Sequence, residues 1–424
     1  MEEHTPAYVT VSNMLTDISQ LEPFDVAGFD ADHTLVKYNV KALTKMIDKI
    51  YMRVITEDCE GYPKDIADLY DEELINFSFN GATLDMNTGL LVKISEDKKV
   101  IAAYRGFTKL PDTEIEEIYG KDRIFNEEYS VWHYRSLDKG YLGFHSYFDC
   151  PVISLCAKLF DLKTQGKIDK TNEEIFNDIR TCIIKSYVHY DAEKCYKIAD
   201  YGYFFTEIIN DTEKYIQRRE DFREMLIKLR EAGKKVFIAT NSHAEYTNLI
   251  MTRSIGDDWR SLVDFTASHC GKPIFFKEIH GTRKFFRCDY ESVNLKGKEC
   301  DVDDLEETHT YLEGNCKDLE EYFKKLIDKD EINFAFFGDH FITDAAISDL
   351  HKNWKGVAIM EELNHEQVEQ TDESQLVGYE KYWGSFFGGE INGEWHKNAW
   401  VKFAEEHTSY VLPLLGDLKK LLDK

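Results

Sequence analysis

Three apolar runs in this chain each end on small polar or acidic residues: VAGFD (26–30), KKVFIATNS (234–242) and INFAFFGDH (332–340). Two of them follow an amphipathic helix pattern. Phe222, Met225, Leu226 and Leu229 recur at helical spacing before the second run, with Gly233 placed to end that helix. Leu319, Tyr322, Phe323, Leu326 and Ile327 do the same before the third. Helix and buried strand in alternation predict an α/β fold with a parallel sheet. In such sheets ligands bind beyond the carboxyl ends of the strands, so Asp30, Thr240 and Asp339 are expected to meet at one crevice.

The interval from Asp30 to Thr240 is much longer than that from Thr240 to Asp339, so the first must hold an insertion. Its signals are helical. Pro151 can open a helix carrying Val152, Leu155, Cys156 and Leu159, and Thr171 with Glu174 makes a capping-box pattern ahead of Ile175, Phe176, Ile179 and Ile183. The expected organisation is a discontinuous core of residues 15–40 and 210–365, an inserted unit at 41–209 and a C-terminal extension at 366–424 packed on the core. Residues 276–315 are charged and aperiodic and read as an excursion from that core. The tail, with KYWGSFF (381–387) and VLPLLGDLKKLL, is given no chemistry.

Asp30 and Asp32 lie two apart in DADHT, where strand alternation and the following turn direct both carboxylates into one site. One can attack while the other moves protons. Asp30 and Asp339 are the natural pair to hold Mg²⁺, which takes hard oxygen ligands and keeps several waters. Thr240, with its hydroxyl, and the backbone around Asn241 can donate to phosphate oxygens, and Lys272 in GKPIFF can neutralise both phosphate and nucleophile. Each has a plainer reading alone: Thr240 and Asn241 can simply end a strand, and Lys272 can be a surface lysine. Asp344 can serve as a helix N-cap or first-turn acid of AAISDL, or support a metal, or both.

With Lys+Arg 52 against Asp+Glu 79, the net charge of -27 argues against a nucleic-acid surface or an anionic membrane as partner. Nine cysteines without a CxxC pair indicate neither a disulfide framework nor a zinc site. No apolar stretch approaches the roughly 18 residues of a membrane span, and the expectation is a cytoplasmic protein.

The motifs DADHT, ATN, GKP and GDHFITD stand in the order found in the haloacid dehalogenase superfamily of aspartyl-phosphate phosphatases, which the chain resembles. DWRSLVDF followed by GKPIFF, and TNSHAEYTNLIM, narrow the resemblance to its cytosolic purine 5'-nucleotidase branch. The resemblance implies a Rossmann-like core with a mainly helical cap inserted between the first and second motifs. It implies Asp30 as nucleophile and Asp32 as acid and base, the latter also binding Mg²⁺ through its backbone carbonyl. It further implies Asp339 as a second carboxylate ligand and Asp344 as support of the metal shell. Within the cap, HSYFDCP (145–151) puts Phe148 where the purine enzymes stack a base. His145 and Asp149 replace the family's asparagines there, and either Arg180 or the VHY segment with His189 matches the remaining nucleotide contacts, not both. The expected activity is Mg²⁺-dependent hydrolysis of a nucleoside 5'-monophosphate, with homo-oligomeric assembly as an option. Hydrolysis or phosphotransfer on another small phosphate, or a low-turnover binding role, are the alternatives.

Overall fold

The computed structural model describes residues 21, 23–187, 202–277, 280–292, 294–365 and 379–419. The chain enters on β1 (Val26–Phe29), buried throughout its length. It then leaves for the insertion: helix α1 (Val40–Asp58); strands β2 (Thr83–Asp85), β3 (Leu90–Ile94), β4 (Val100–Arg105) and β5 (Thr108–Lys109); α2 (Asp112–Tyr119); β6 (Tyr141–Gly143); and helices α3 (Cys150–Thr164), α4 (Asn172–Tyr187) and α5 (Tyr203–Asn210). It returns through α6 (Thr212–Tyr215) and α7 (Glu220–Glu231), followed by β7 (Lys235–Ala239), α8 (Ala244–Ser254) and β8 (Phe265–Ser268). Then come α9 (Ile274–Lys277), β9 (Phe285–Cys288), β10 (Lys296–Cys300), β11 (Thr310–Glu313), α10 (Cys316–Ile327), β12 (Phe334–Gly338) and β13 (Trp354–Ile359). The hairpin β14 (Gly388–Ile391) and β15 (Glu394–Lys397) precedes β16 (Tyr410–Leu412).

One nine-stranded sheet runs β10-β9-β11-β8-β7-β1-β12-β13-β16. From β11 to β16 every pairing is parallel, with β1 central between β7 and β12. Strands covered on both faces are apolar at successive positions rather than alternating, which is why VAGF and FAFFG are unbroken apolar runs. The helices expected before β7 and β12 are present. Phe222, Met225, Leu226 and Leu229 are the buried positions of α7, and Gly233 takes φ 74 just beyond its end.

Residues 276–315 are not an excursion: they supply β9, β10 and β11 to the same sheet. The sequence hid this because β9 and β10 form its antiparallel edge, where side chains such as those of Lys298 and Glu299 face solvent.

The insertion is not built of helices alone. Pro151 does stand in the first turn of α3, and Thr171 and Glu174 close the capping box, with Thr171 N donating to Glu174 Oε2 at 2.7 Å and Glu174 N to Thr171 Oγ1 at 3.2 Å. A five-stranded antiparallel sheet, β5-β4-β3-β2-β6, packs beside these helices. Its strands β2, β3 and β4 are short and buried on both faces, so they lack the alternation that marks an exposed strand. Local hairpin signals are Asn87 and Gly89 between β2 and β3, the charged turn SEDKK between β3 and β4, and Gly106 between β4 and β5.

The C-terminal residues divide between two places. β16 extends the large sheet beyond β13. Trp383 and Phe386 pack on Phe77 and Phe79 of the insertion, where the buried Lys93 ammonium donates to the carbonyls of Trp383 (3.2 Å), Gly388 (2.6 Å) and Ser385.

Candidate active site

The central place of β1 decides the geometry of the crevice. The Asp30 N–H donates to Phe337 O at 2.9 Å, which continues the β1–β12 ladder and sets the end of VAGFD beside the end of FAFFG. Lys272, 2% exposed along its side chain, lies between two carboxylates: its ammonium is 2.9 Å from Asp30 Oδ1 and 2.6 Å from Asp344 Oδ1. Asp339 closes the group. The carboxylates of Asp30, Asp339 and Asp344 each offer an oxygen within 4.8 Å of the others.

Local structure explains Asp344. The turn Phe341–Ala346 is a wide π-type helix whose N-terminus is capped by His340, its Nδ1 accepting from Ile342 N and Thr343 N at 3.3 Å. Capping is therefore done by His340, which leaves Asp344 to face Lys272 while its Oδ2 accepts from His340 N at 3.2 Å. This approach needs Gly338: a Cβ there would stand 2.3 Å from the Asp344 Cβ.

Three carboxylates around one ammonium leave an excess of negative charge in a dry place. Burial raises the Asp30 carboxyl to about 6; Lys272 pulls it down, and Asp344 pushes it up. Burial also holds Asp339 well above the usual carboxylate range, reinforced by Asp30 and Asp344. Burial disfavours the Lys272 ammonium, but Asp30 and Asp344 outweigh it and raise its pKa. The arrangement therefore fits one further cation bound by oxygen, and an all-carboxylate donor set suits a hard divalent ion such as Mg²⁺.

Asp32 lies apart from this cluster. Its Oδ1 accepts from Tyr38 OH and its Oδ2 from Ser242 Oγ, each at 2.5 Å. Burial and the Asp30 charge raise its carboxyl to about 6 despite those two bonds. Asp32, Ser242, Tyr246 and Phe148 line a cavity of about 480 Å³ whose walls are otherwise mostly apolar and aromatic. Phe148 meets His33 and Tyr38 edge-on at 4.8 and 5.6 Å.

The other residues singled out in the sequence are placed as follows. Thr240 is buried, and its Oγ1 accepts from Ser242 N at 3.1 Å. The Asn241 side chain grips the Lys272 backbone, accepting from Lys272 N at 2.5 Å and donating to Lys272 O at 3.0 Å. His145 is not brought to the cavity. It is buried against Trp400 and Phe341, with ring centroids at 4.0 and 4.2 Å, and its Nδ1 pairs with Asn80 Oδ1. Arg180 lines the cavity from an exposed position on α4, and His189 lies outside the described residues.

Several residues of this site had not been singled out by sequence. Tyr38 and Ser242 lie within a few positions of the named motifs, and Tyr246 one turn farther along α8, but hydroxyls carry no pattern of their own. Arg135, which donates to both Asp149 oxygens at 2.9 and 3.0 Å, comes from a loop with no periodic signal. A second group of metal-type side chains, Cys316, Glu320 and His351, is tied up in bonds of its own. Glu320 Oε1 accepts from Trp354 Nε1 at 2.7 Å and Lys317 at 2.9 Å, and His351 Nε2 donates to Phe276 O at 2.8 Å.

Comparison with known proteins bears on the whole of this region. A model of the 5' nucleotidase family matches residues 16–382. Human 5'-nucleotidase domain-containing protein 1 is 28% identical over 396 residues, covering 87% of this chain and 82% of that protein. Its counterpart in Bos taurus is 28% identical over 393 residues, with the same coverage. Human 5'-nucleotidase domain-containing protein 2 is 28% identical over 363 residues, covering 85% of this chain and 64% of that protein. Because the matched span carries the crevice from Asp30 to Asp344 together with the insertion, the chain belongs to the 5'-nucleotidase family and is a phosphoric monoester hydrolase.

Proposed function

We propose that this enzyme hydrolyses nucleoside 5'-monophosphates through an aspartyl-phosphate on Asp30. In this reading the large sheet is a Rossmann-like haloacid dehalogenase core, and the inserted unit is a cap that selects the substrate. The observation that carries it is the placement of Asp30 against Lys272 and two further carboxylates, with Asp32 lining an aromatic cavity and near enough for the Asp30 charge to act on it.

Asp30 attacks phosphorus, forming a carboxylate oxygen–phosphorus bond as the ester oxygen–phosphorus bond breaks. Asp32 gives its proton to the departing alkoxide. Water then attacks the same phosphorus, passes a proton to Asp32, and the bond to Asp30 breaks to release inorganic phosphate. Asp32 is suited to both duties because a pKa of about 6 leaves about a tenth of it protonated at pH 7. Lys272 neutralises Asp30 and the phosphoryl oxygens, and Thr240 and the backbone around Asn241 offer donors to them. Asp30, Asp339, Asp344 and the Asp32 main-chain carbonyl would hold Mg²⁺, which when bound supplies positive charge against the transferring phosphoryl group.

Phe148 and Arg180 both line the cavity, the first as an aromatic ring for a base and the second as a cation. The test is phosphate release from a panel of nucleoside monophosphates and generic phosphoesters, with Mg²⁺ or with EDTA, for wild type and Asp30→Asn. Metal-dependent turnover, led by nucleotides and lost in the variant, is expected. Equal turnover by Asp30→Asn would sink the mechanism, and generic esters outpacing every nucleotide would sink the substrate class.

A further inference from the structure

The group that holds Asp32 belongs to residues the proposed chemistry leaves unused. Tyr38 OH donates to Asp32 Oδ1 at 2.5 Å and meets Tyr246 OH at 2.9 Å, with both tyrosines buried. An ionised carboxylate has no hydrogen to give, so the Tyr38 hydrogen points at Asp32 and Tyr246 supplies the one between the two phenols. The result is a directed chain from Tyr246 through Tyr38 to Asp32.

Both phenols are held in place. The Tyr38 backbone bridges to Ile216, and its ring lies against His33 at 4.6 Å and Phe148 at 5.6 Å. Tyr246 projects from α8 with its ring against Phe205 at 5.1 Å and Phe204 at 6.0 Å, two residues of the insertion. Oδ1 of Asp32 is thus met by a phenol whose ring is held in place. Oδ2 faces Ser242, whose hydroxyl can donate to the carboxylate and accept from the acid. Ser242 lines the cavity together with Asp32 whereas Tyr38 does not, so Oδ2 is the oxygen on the cavity side.

We infer that Tyr38 is a positioning residue for the acid and base step: its phenol, anchored by Tyr246, fixes the Asp32 carboxyl so that Oδ2 carries the proton to and from the reacting oxygens. The inference rests on the proposed reaction. It also joins leaving-group binding to proton delivery, since Phe148 touches Tyr38 with its ring and lines the cavity.

Tyr38→Phe keeps the ring contacts and removes only the hydroxyl. Rapid-mix kinetics with p-nitrophenyl phosphate separate the two steps, because nitrophenolate departs without a proton whereas water attack on the phosphoenzyme still needs Asp32 as base. The variant is expected to release a burst of about one nitrophenolate per enzyme, followed by a steady rate about ten- to a hundredfold below wild type. Turnover of a nucleoside monophosphate should fall at least as far, with KM within about twofold of wild type, as expected when an interaction made only in the transition state is lost. Tyr246→Phe should move both rates in the same direction by less. A Tyr38→Phe enzyme with wild-type steady rates, or one whose burst and steady rates fall together, overturns the inference while Asp32→Asn still gives the burst. A wild type that never forms a phosphoenzyme overturns the underlying reaction as well.

Discussion

Lys272→Met removes the one ammonium from a buried cluster of three carboxylates while keeping a side chain of similar length. At an effective dielectric of about 20, contacts of 2.9 and 2.6 Å correspond to attractions of about 6 kcal/mol each. Desolvation of the three ions offsets most of that, and the net loss on removing one partner of such a group is about 3–5 kcal/mol. The loss must depend on pH. Lys272 is the chief influence that lowers the Asp30 carboxyl, which burial nevertheless holds at about 6, so without Lys272 it rises further. A carboxyl whose folded pKa lies above its unfolded value binds more protons in the folded state. Its stability contribution is therefore lost as pH climbs from the unfolded value toward and past the folded one. The variant should trail wild type most near pH 8 and recover much of the gap near pH 5.5. The assay is urea unfolding followed by tryptophan fluorescence at both pH values. Because the comparison is between two chains at one pH, the remaining titrating groups largely cancel. An equal gap at the two pH values, or none near pH 8, would refute the idea that Lys272 balances buried negative charge. Turnover should fall about a hundredfold or more in either case.

Two further outcomes follow from the same cluster. Saturating Mg²⁺ should stabilise wild type near pH 8 by about 2–3 kcal/mol at a hundredfold excess over Kd. It should do much less near pH 5, where Asp30 and Asp339 hold protons, and almost nothing in Asp339→Asn; thermal shift read at several Mg²⁺ concentrations checks this. Gly338→Ala would drive a methyl group to 2.3 Å from the Asp344 Cβ, so we expect a loss of about 1–3 kcal/mol with turnover reduced beyond what the lost stability explains. Circular dichroism melts and phosphate release on the same sample decide it, and a fully active Gly338→Ala would show that Asp344 need not sit where it does.

Much of the fold and the charged part of the crevice could be read in the chain. Apolar runs ending on Asp30 and Asp339, each at a strand end, foretell their meeting because parallel strands bring their carboxyl ends to one edge. The caps of α3 and α4 were equally legible, since a proline in the first turn and a Thr–Glu pair act over one helical turn. The sheet β2–β6 was not, because strands buried on both faces lose their alternation, nor were β9 and β10, whose charged side chains hide an edge position. Which residue caps the turn after Asp339 depended on how that turn winds: His340 does so, freeing Asp344 for Lys272. His145, beside Phe148 in sequence, was turned away by the ring of Trp400, which arrives from the far end of the chain.

Local chemistry written in neighbouring residues was thus determined by the sequence alone: the buried core strands β1, β7 and β12, the starts of α3 and α4, and the acidic residues at the ends of β1 and β12. The tertiary structure alone decided which hydroxyls reach Asp32. Ser242 and Tyr246 come from a segment far from Asp32 in sequence, and the Ser242–Asp32 bond of 2.5 Å exists only once β1 and β7 lie side by side. Periodicity records a residue's burial, but the partner it meets across a sheet is set by strand order and register, which no short stretch of sequence encodes.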